Sequence, residues 1–131
     1  MKNSLKIVRR FYEALRRGDL PEVLGLLDLH IEWTEAERFP YYGGTWRSPE
    51  AIAKGLLEPL ANDWNHFEAK PTDFISEGDE TVAFGIYFGA HKSTGRSVIA
   101  PFAHRWKVRD GKIIRFVQYT DTAKVLEAVG D

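Results

Sequence analysis

The chain contains no cysteine, so disulfides, thiol nucleophiles, iron–sulfur clusters and cysteine zinc sites are excluded at the outset. Nothing points to an oxidising compartment, and a cytoplasmic location is the expectation. Net charge is also scarce, with 18 basic residues against 19 acidic leaving a formal charge of −1. No global positive field exists to hold phosphates or an anionic bilayer, so neither nucleic acid nor a membrane is an expected partner. Long apolar runs are missing as well. The first twenty residues scatter their apolar positions among six basic and two acidic side chains, without the apolar stretch of a signal peptide. Repeats, linkers and low-complexity segments are absent from the sequence. What is present is 131 residues at 44% apolar and 13% aromatic content, enough for one core, so residues 1–131 read as a single domain.

Ile7, Phe11, Ala14 and Leu15 recur on one face of a helical wheel, which predicts an amphipathic first helix stopped by Gly18. Asp19, Pro21 and Glu22 then open a short second helix running to about Asp28. His30 to Thr34 alternates polar and apolar residues, predicting a strand that leads into an irregular aromatic stretch with Phe39, Tyr41, Tyr42 and Trp46. Ser48-Pro49-Glu50 starts a third helix with Ile52, Leu56, Leu57 and Leu60 as its buried stripe. Beyond Asn62, turn signals at 77–79, 92–95 and 109–111 divide the chain into four strand-like runs joined by short loops, which implies an antiparallel meander. Pro101 within the third run predicts a bulge or an edge position. Asp121 caps a terminal helix carrying Val125, Leu126 and Val129. Residues 81–88 are apolar or small on both faces, so the second face needs cover, and a homodimer is expected. Helices closing one face of a bent sheet leave an internal pocket.

The four histidines, at 30, 66, 91 and 104, have no metal-ligand spacing, so no metal is expected. Gly43-Gly44 is a turn inside an aromatic stretch, not a phosphate loop, and no serine sits in a nucleophile elbow. Glu35 remains, flanked by Trp33, Phe39, Tyr41, Tyr42 and Trp46. An aromatic environment strips hydration from a carboxylate and raises its pKa toward the range of a general base near neutral pH. The same pattern also fits three solvated carboxylates, Glu32, Glu35 and Glu37, at a strand end.

Taken in order, Phe-Tyr-x-Ala-Leu-x-x-Gly-Asp at 11–19, Trp-x-Glu at 33–35, Gly-Gly-x-Trp at 43–46, Phe-x-His-x-Trp-x-Val-x-Asp-Gly-Lys-Ile at 102–113 and Tyr-x-Asp-Thr at 119–122 resemble the SnoaL-like, polyketide-cyclase branch of the nuclear transport factor 2-like superfamily, which also holds ketosteroid isomerase. The resemblance spans about residues 4–129. It implies an α+β fold, a cone-shaped curved antiparallel sheet packed against three helices, with an internal apolar pocket and a dimer through the outer sheet. Glu35 falls at the position similar to the base of ketosteroid isomerase. The positions similar to its two oxyanion donors hold Phe11 and Ala103, which carry no donor, so little steroid isomerisation is expected. Tyr12 offers a hydroxyl about 100° around the helix.

Alternation from Ala103 places Arg105 toward the pocket, where it pairs with Glu35 or holds an anionic ligand group; a bulge at Pro101 would instead turn His104 inward. The resemblance puts Phe116, Gln118 and Thr120 inward on the last strand. The expected function is proton transfer in an isomerisation, cyclisation or hydration of an aromatic or polyketide-like compound, needing no organic cofactor. Glu35 shuttles the proton, Arg105 or Gln118 steadies developing oxygen charge, His104 is the other acid–base candidate, and Trp33, Tyr41, Trp46, Trp64, Phe84 and Phe102 form the pocket wall. A non-catalytic ligand-binding or dimerisation module of the same fold is the other reading.

Overall fold

The computed structural model describes residues 3–130; Met1, Lys2 and Asp131, at the ends of the expected domain, lie outside the described residues. Helix α1 (Asn3–Arg17) buries Ile7, Val8, Phe11, Tyr12 and Ala14, so its apolar face carries a second aromatic beside the expected stripe. Gly18, at φ +71°, ends it with Asp19 N–H donating back to the Ala14 carbonyl at 2.9 Å, a turn that a side chain at this φ would strain. Asp19 then caps α2 (Leu20–Gly25) by accepting from Glu22 N–H at 3.2 Å. The second helix is shorter than expected. Chain pairing takes over at Leu26, whose carbonyl accepts from Ile113 N–H, so strand β1 (Leu27–Thr34) starts three residues earlier than alternation alone suggested.

A two-residue strand, β2 (Thr45–Trp46), pairs with the end of β1. The third helix is one rod in three parts: α3 (Pro49–Ile52), a π-helical turn (Ala53–Leu57) and α4 (Glu58–Asp63). Ser48 caps it by accepting from Ala51 N–H at 3.1 Å. Pro59 has no N–H to offer the Gly55 carbonyl, and the widened turn absorbs the mismatch, with Glu58 N–H reaching Ala53 O five residues back. That turn sets Leu56, Leu57 and Leu60 along one wall of an internal cavity.

Four long strands follow, β3 (Trp64–Glu77), β4 (Glu80–His91), β5 (Ser97–Arg109) and β6 (Lys112–Thr120), as the turn signals predicted. Helix α5 (Thr122–Val129), capped by Asp121, packs Val125 and Ala128 into the core. The sheet order is β2-β1-β6-β5-β4-β3. This corrects the expected cone-shaped antiparallel sheet: the α+β class holds, but the sheet is open, with β2 and β3 as separate edges, and it is mixed, because β1 runs parallel to β6. A parallel pair needs a long crossover, and here everything between β1 and β6 supplies it. No described helix is long and apolar enough to cross a membrane.

The Pro101 expectation is also corrected. Pro101 lies in a central strand with unbroken pairing to β4, opposite Ile86. Its carbonyl points toward β6 and accepts from Thr120 Oγ1 at 2.7 Å, so its missing N–H also faces the place where β6 ends and no ladder partner is required. Without a bulge there, β5 alternates cleanly, burying Phe102, His104, Trp106 and Val108.

Candidate functional site

That alternation decides which side chains meet. His104 faces the interior, 3% exposed, and Arg105 faces out, ion-paired at 3.0 Å with Glu80 across the β4–β5 ladder. Arg105 therefore neither holds Glu35 nor reaches the cavity, and an ion pair with half-exposed partners contributes at most about 1 kcal/mol. Ala103, on the same outward register, is likewise outside the cavity. The position that resembles the family's second oxyanion donor therefore faces away from the cavity.

The cavity has a volume of about 600 Å³ and lies between α1, the third helix and the inner face of β3–β6. Of the expected residues, Glu35, His104 and Gln118 line it, together with Phe11, Tyr12, Trp33, Trp64 and Phe116. Six others do not, in addition to Arg105. Phe102 lies behind His104, stacked on it at 3.9 Å, and Phe84 is on the outer face with Ala103. Thr120 is tied to Pro101 at the end of β6. Trp46 packs against Gly43 and Gly55 on the far side of the third helix's widened turn. Tyr41 pins the aromatic stretch from outside the cavity, donating to Asp63 at 2.8 Å and accepting from Trp64 Nε1 at 3.1 Å.

Glu35 ends the period-two run Ile31, Trp33, Glu35, which carries it inward past the end of β1, and it is 3% exposed. Its Oε2 accepts from Trp33 Nε1 at 2.6 Å. Burial pushes its pKa up to about 7, and the Trp33 and Gln118 donors only partly offset that rise. Among the described residues no cation pairs with it. Gln118 bridges two elements, Oε1 accepting from Ala36 N–H and Nε2 donating to the Tyr87 hydroxyl, each at 2.8 Å. Tyr87 and Tyr12 clasp the two nitrogens of His104, with Tyr87 Oη at 2.5 Å from Nε2 and Tyr12 Oη at 2.5 Å from Nδ1. Trp106 Nε1 donates to Tyr12 at 3.1 Å. Burial holds the His104 pKa well below its ordinary value, so the imidazole is neutral. Burial likewise raises Tyr12 and Tyr87, Tyr87 further through the nearby Glu35 charge, so both phenols keep their protons.

Sequence reasoning missed Tyr87, Trp106, Phe39 and Phe67, all of which line the cavity. The signal for Tyr87 was available: inward positions Thr81, Ala83 and Gly85 are small, and the next, Tyr87, is the first large side chain on that face. Gly85 is small of necessity, since a Cβ there would meet the Lys70 carbonyl at 2.2 Å and the Phe102 ring at 2.7 Å. Among the described residues, no group of three or more His, Asp or Glu is placed to hold a metal ion. Chemically, the site combines one carboxyl that titrates near neutrality, hydroxyl donors that do not ionise and an apolar aromatic wall.

Residues 8–116 match the family model described as a SnoaL-like domain. A nuclear transport factor 2-like protein from Burkholderia thailandensis is 34% identical over the full length of both chains, with a TM-score of 0.94. TerC, co-crystallised with polyporic acid, is 25% identical over 98% of each chain, with a TM-score of 0.86. IdmH of Streptomyces antibioticus, a candidate polyketide cyclase, shares the fold at 20% identity, covering 98% of this chain and 99% of its own, with a TM-score of 0.81. No curated protein matches the chain significantly. The chain belongs to the SnoaL-like family of the nuclear transport factor 2-like superfamily.

Proposed function

We propose that the protein is a small-molecule enzyme that isomerises, cyclises or hydrates an aromatic or polyketide-like compound by proton transfer, residues 1–131 forming one domain. The observation that carries this reading is Glu35, a carboxyl buried with no cation partner among the described residues, its pKa pushed by burial to about 7 in an aromatic cavity. Glu35 takes a proton from a carbon or oxygen acid of the bound compound and returns it at another atom. Tyr87 donates a hydrogen bond to the oxygen that gains charge, and Gln118 acts through Tyr87 and the Ala36 backbone rather than on the ligand. The polyporic acid co-crystallised with TerC supports an aromatic ligand class. Phe11 and Ala103 carry no donor, so little steroid isomerisation is expected from those positions, and a hydroxyl on the cavity wall is that of Tyr87 from β4.

The test is hydrogen-to-deuterium exchange at the acidic carbons of a panel of aryl ketones in D₂O. Exchange should be accelerated by the protein and rise with pH through about 7 as Glu35 ionises. Ketones that bind in the cavity yet exchange at the buffer rate would leave the non-catalytic binding module as the correct reading.

We also propose a homodimer through the outer face of the sheet. Phe84 and Tyr119 flank Ala103 in one cross-strand row, with Ile86 beside Pro101 and Phe88 beside Ile99 in the two outward-facing rows beyond it. Ile99 is 66% and Tyr119 55% exposed in the single chain, an apolar patch a partner would cover. Light scattering at micromolar concentration should give twice the 15.0 kDa chain mass, and a monomer would defeat this assignment.

A further inference from the structure

The Tyr12–His104–Tyr87 cluster has one hydrogen too many. Three protons belong to it: two phenolic and one on the neutral imidazole. Only two contacts join the three side chains, so two protons are used and one hydroxyl proton is left over. The surrounding donors make the surplus worse, because Trp106 already donates to Tyr12 and Gln118 already donates to Tyr87. The direction of the Gln118 bond is fixed, since its Oε1 is occupied by the Ala36 N–H. Among the described residues, neither tyrosine oxygen has a further acceptor within hydrogen-bond distance. Both tyrosines line the cavity, at 6% and 5% exposure, so the surplus proton is a buried donor aimed at whatever the cavity holds.

The tautomer of His104 decides which tyrosine carries it. With the proton on Nδ1, His104 donates to Tyr12, Tyr87 donates to Nε2, and the Tyr12 proton is spare. With the proton on Nε2, His104 donates to Tyr87, Tyr12 donates to Nδ1, and the Tyr87 proton is spare. A half-turn of the ring would put carbon where Tyr12 and Tyr87 now meet nitrogen and forfeit both hydrogen bonds. Gln118 ties the Tyr87 hydroxyl to Ala36, the residue beside Glu35, through two bonds of 2.8 Å, and the Glu35 carboxylate there attracts a proton presented on the Tyr87 side. The other charged or titratable groups lining the cavity are Arg16, Glu58, His66 and Glu68, contributed by α1, α4 and β3. None of them joins the cluster by a hydrogen bond.

We propose that His104 is a positioning residue locked as the Nε2–H tautomer, which turns the Tyr87 hydroxyl proton into the cavity beside Glu35 and so selects ligands that present a neutral carbonyl or enolate oxygen at that point. This rests on the cavity being the ligand site, as in the function proposed above, but not on turnover. The role differs from acid–base catalysis by histidine: the imidazole never gains charge, and its effect is delivered through the tyrosine it orients.

Two measurements test it. In protein labelled with ¹⁵N-histidine, His104 should be neutral at pH 8 with its proton on Nε2; an imidazolium, or a proton on Nδ1, would overturn the proposal. Second, 2-acetylnaphthalene and 2-isopropenylnaphthalene have the same shape, but only the ketone accepts a hydrogen bond. The ratio of their dissociation constants should move about tenfold against the ketone on Tyr87→Phe, as expected for one buried hydrogen bond to a ligand oxygen. An unchanged ratio would mean that Tyr87 presents no donor. Because tautomer and ratio are read without catalysis, they can hold where deuterium exchange fails, and the failure of Glu35 as a base stays distinguishable from the failure of His104 as a clamp.

Discussion

Replacing Glu35 by Gln is expected to make the protein more stable above neutral pH and about 100-fold or more less active in proton transfer. The stability half follows from linkage. The Glu35 carboxyl has a pKa of about 7 in the folded protein against the 4.5 of an unperturbed group. A group whose folded pKa is raised favours folding fully below the unfolded value, and that contribution is lost as pH climbs through the folded one. The difference of about 2.5 pH units corresponds to about 3 kcal/mol, at 1.36 kcal/mol per unit. Gln keeps the shape and an acceptor oxygen for Trp33 Nε1 while removing the charge. At pH 4 the variant should match the parent, and at pH 9 it should be about 3 kcal/mol more stable. Denaturant melts at the two pH values check this. A loss of several kcal/mol would reveal a buried cation partner, and no change at either pH a solvated carboxylate.

Trp106→Ala should be the most destabilising single change of those considered, costing about 4 kcal/mol. Trp106 is 1% exposed and packs on Phe11 at 4.9 Å and on Phe116 at 4.6 Å. Truncation opens a cavity between α1 and the sheet and removes the donor that Tyr12 accepts from. Urea unfolding monitored by circular dichroism measures the change. A cost below about 1 kcal/mol would mean that the aromatic layer around Trp106 is far looser than these distances imply.

Local rules carried much of this architecture. The apolar stripe of α1, the caps at Asp19, Ser48 and Asp121, and the turns bounding β3 to β6 depend on neighbours in sequence, and they were legible there. The pairing of β1 with β6 was not, because Leu27 and Ile113 meet only through a crossover spanning most of the chain. The same limit governed the site. Trp33 and Glu35 share a face by period two, so the carboxyl among aromatics could be read directly. Whether His104 or Arg105 turned inward depended on Pro101, and that was settled by where β6 happens to stop, a fact held by another strand. Tyr87 went unread because its significance lies in His104 and Gln118, seventeen and thirty-one residues away.

A buried Glu35 carboxyl poised to move protons near neutral pH can be followed by its own titration. With ¹³C-labelled glutamate and Glu35→Gln for assignment, the side-chain carboxyl resonance should titrate with a midpoint near 7. A midpoint near 4.5, the value of a solvated carboxyl, would contradict the account.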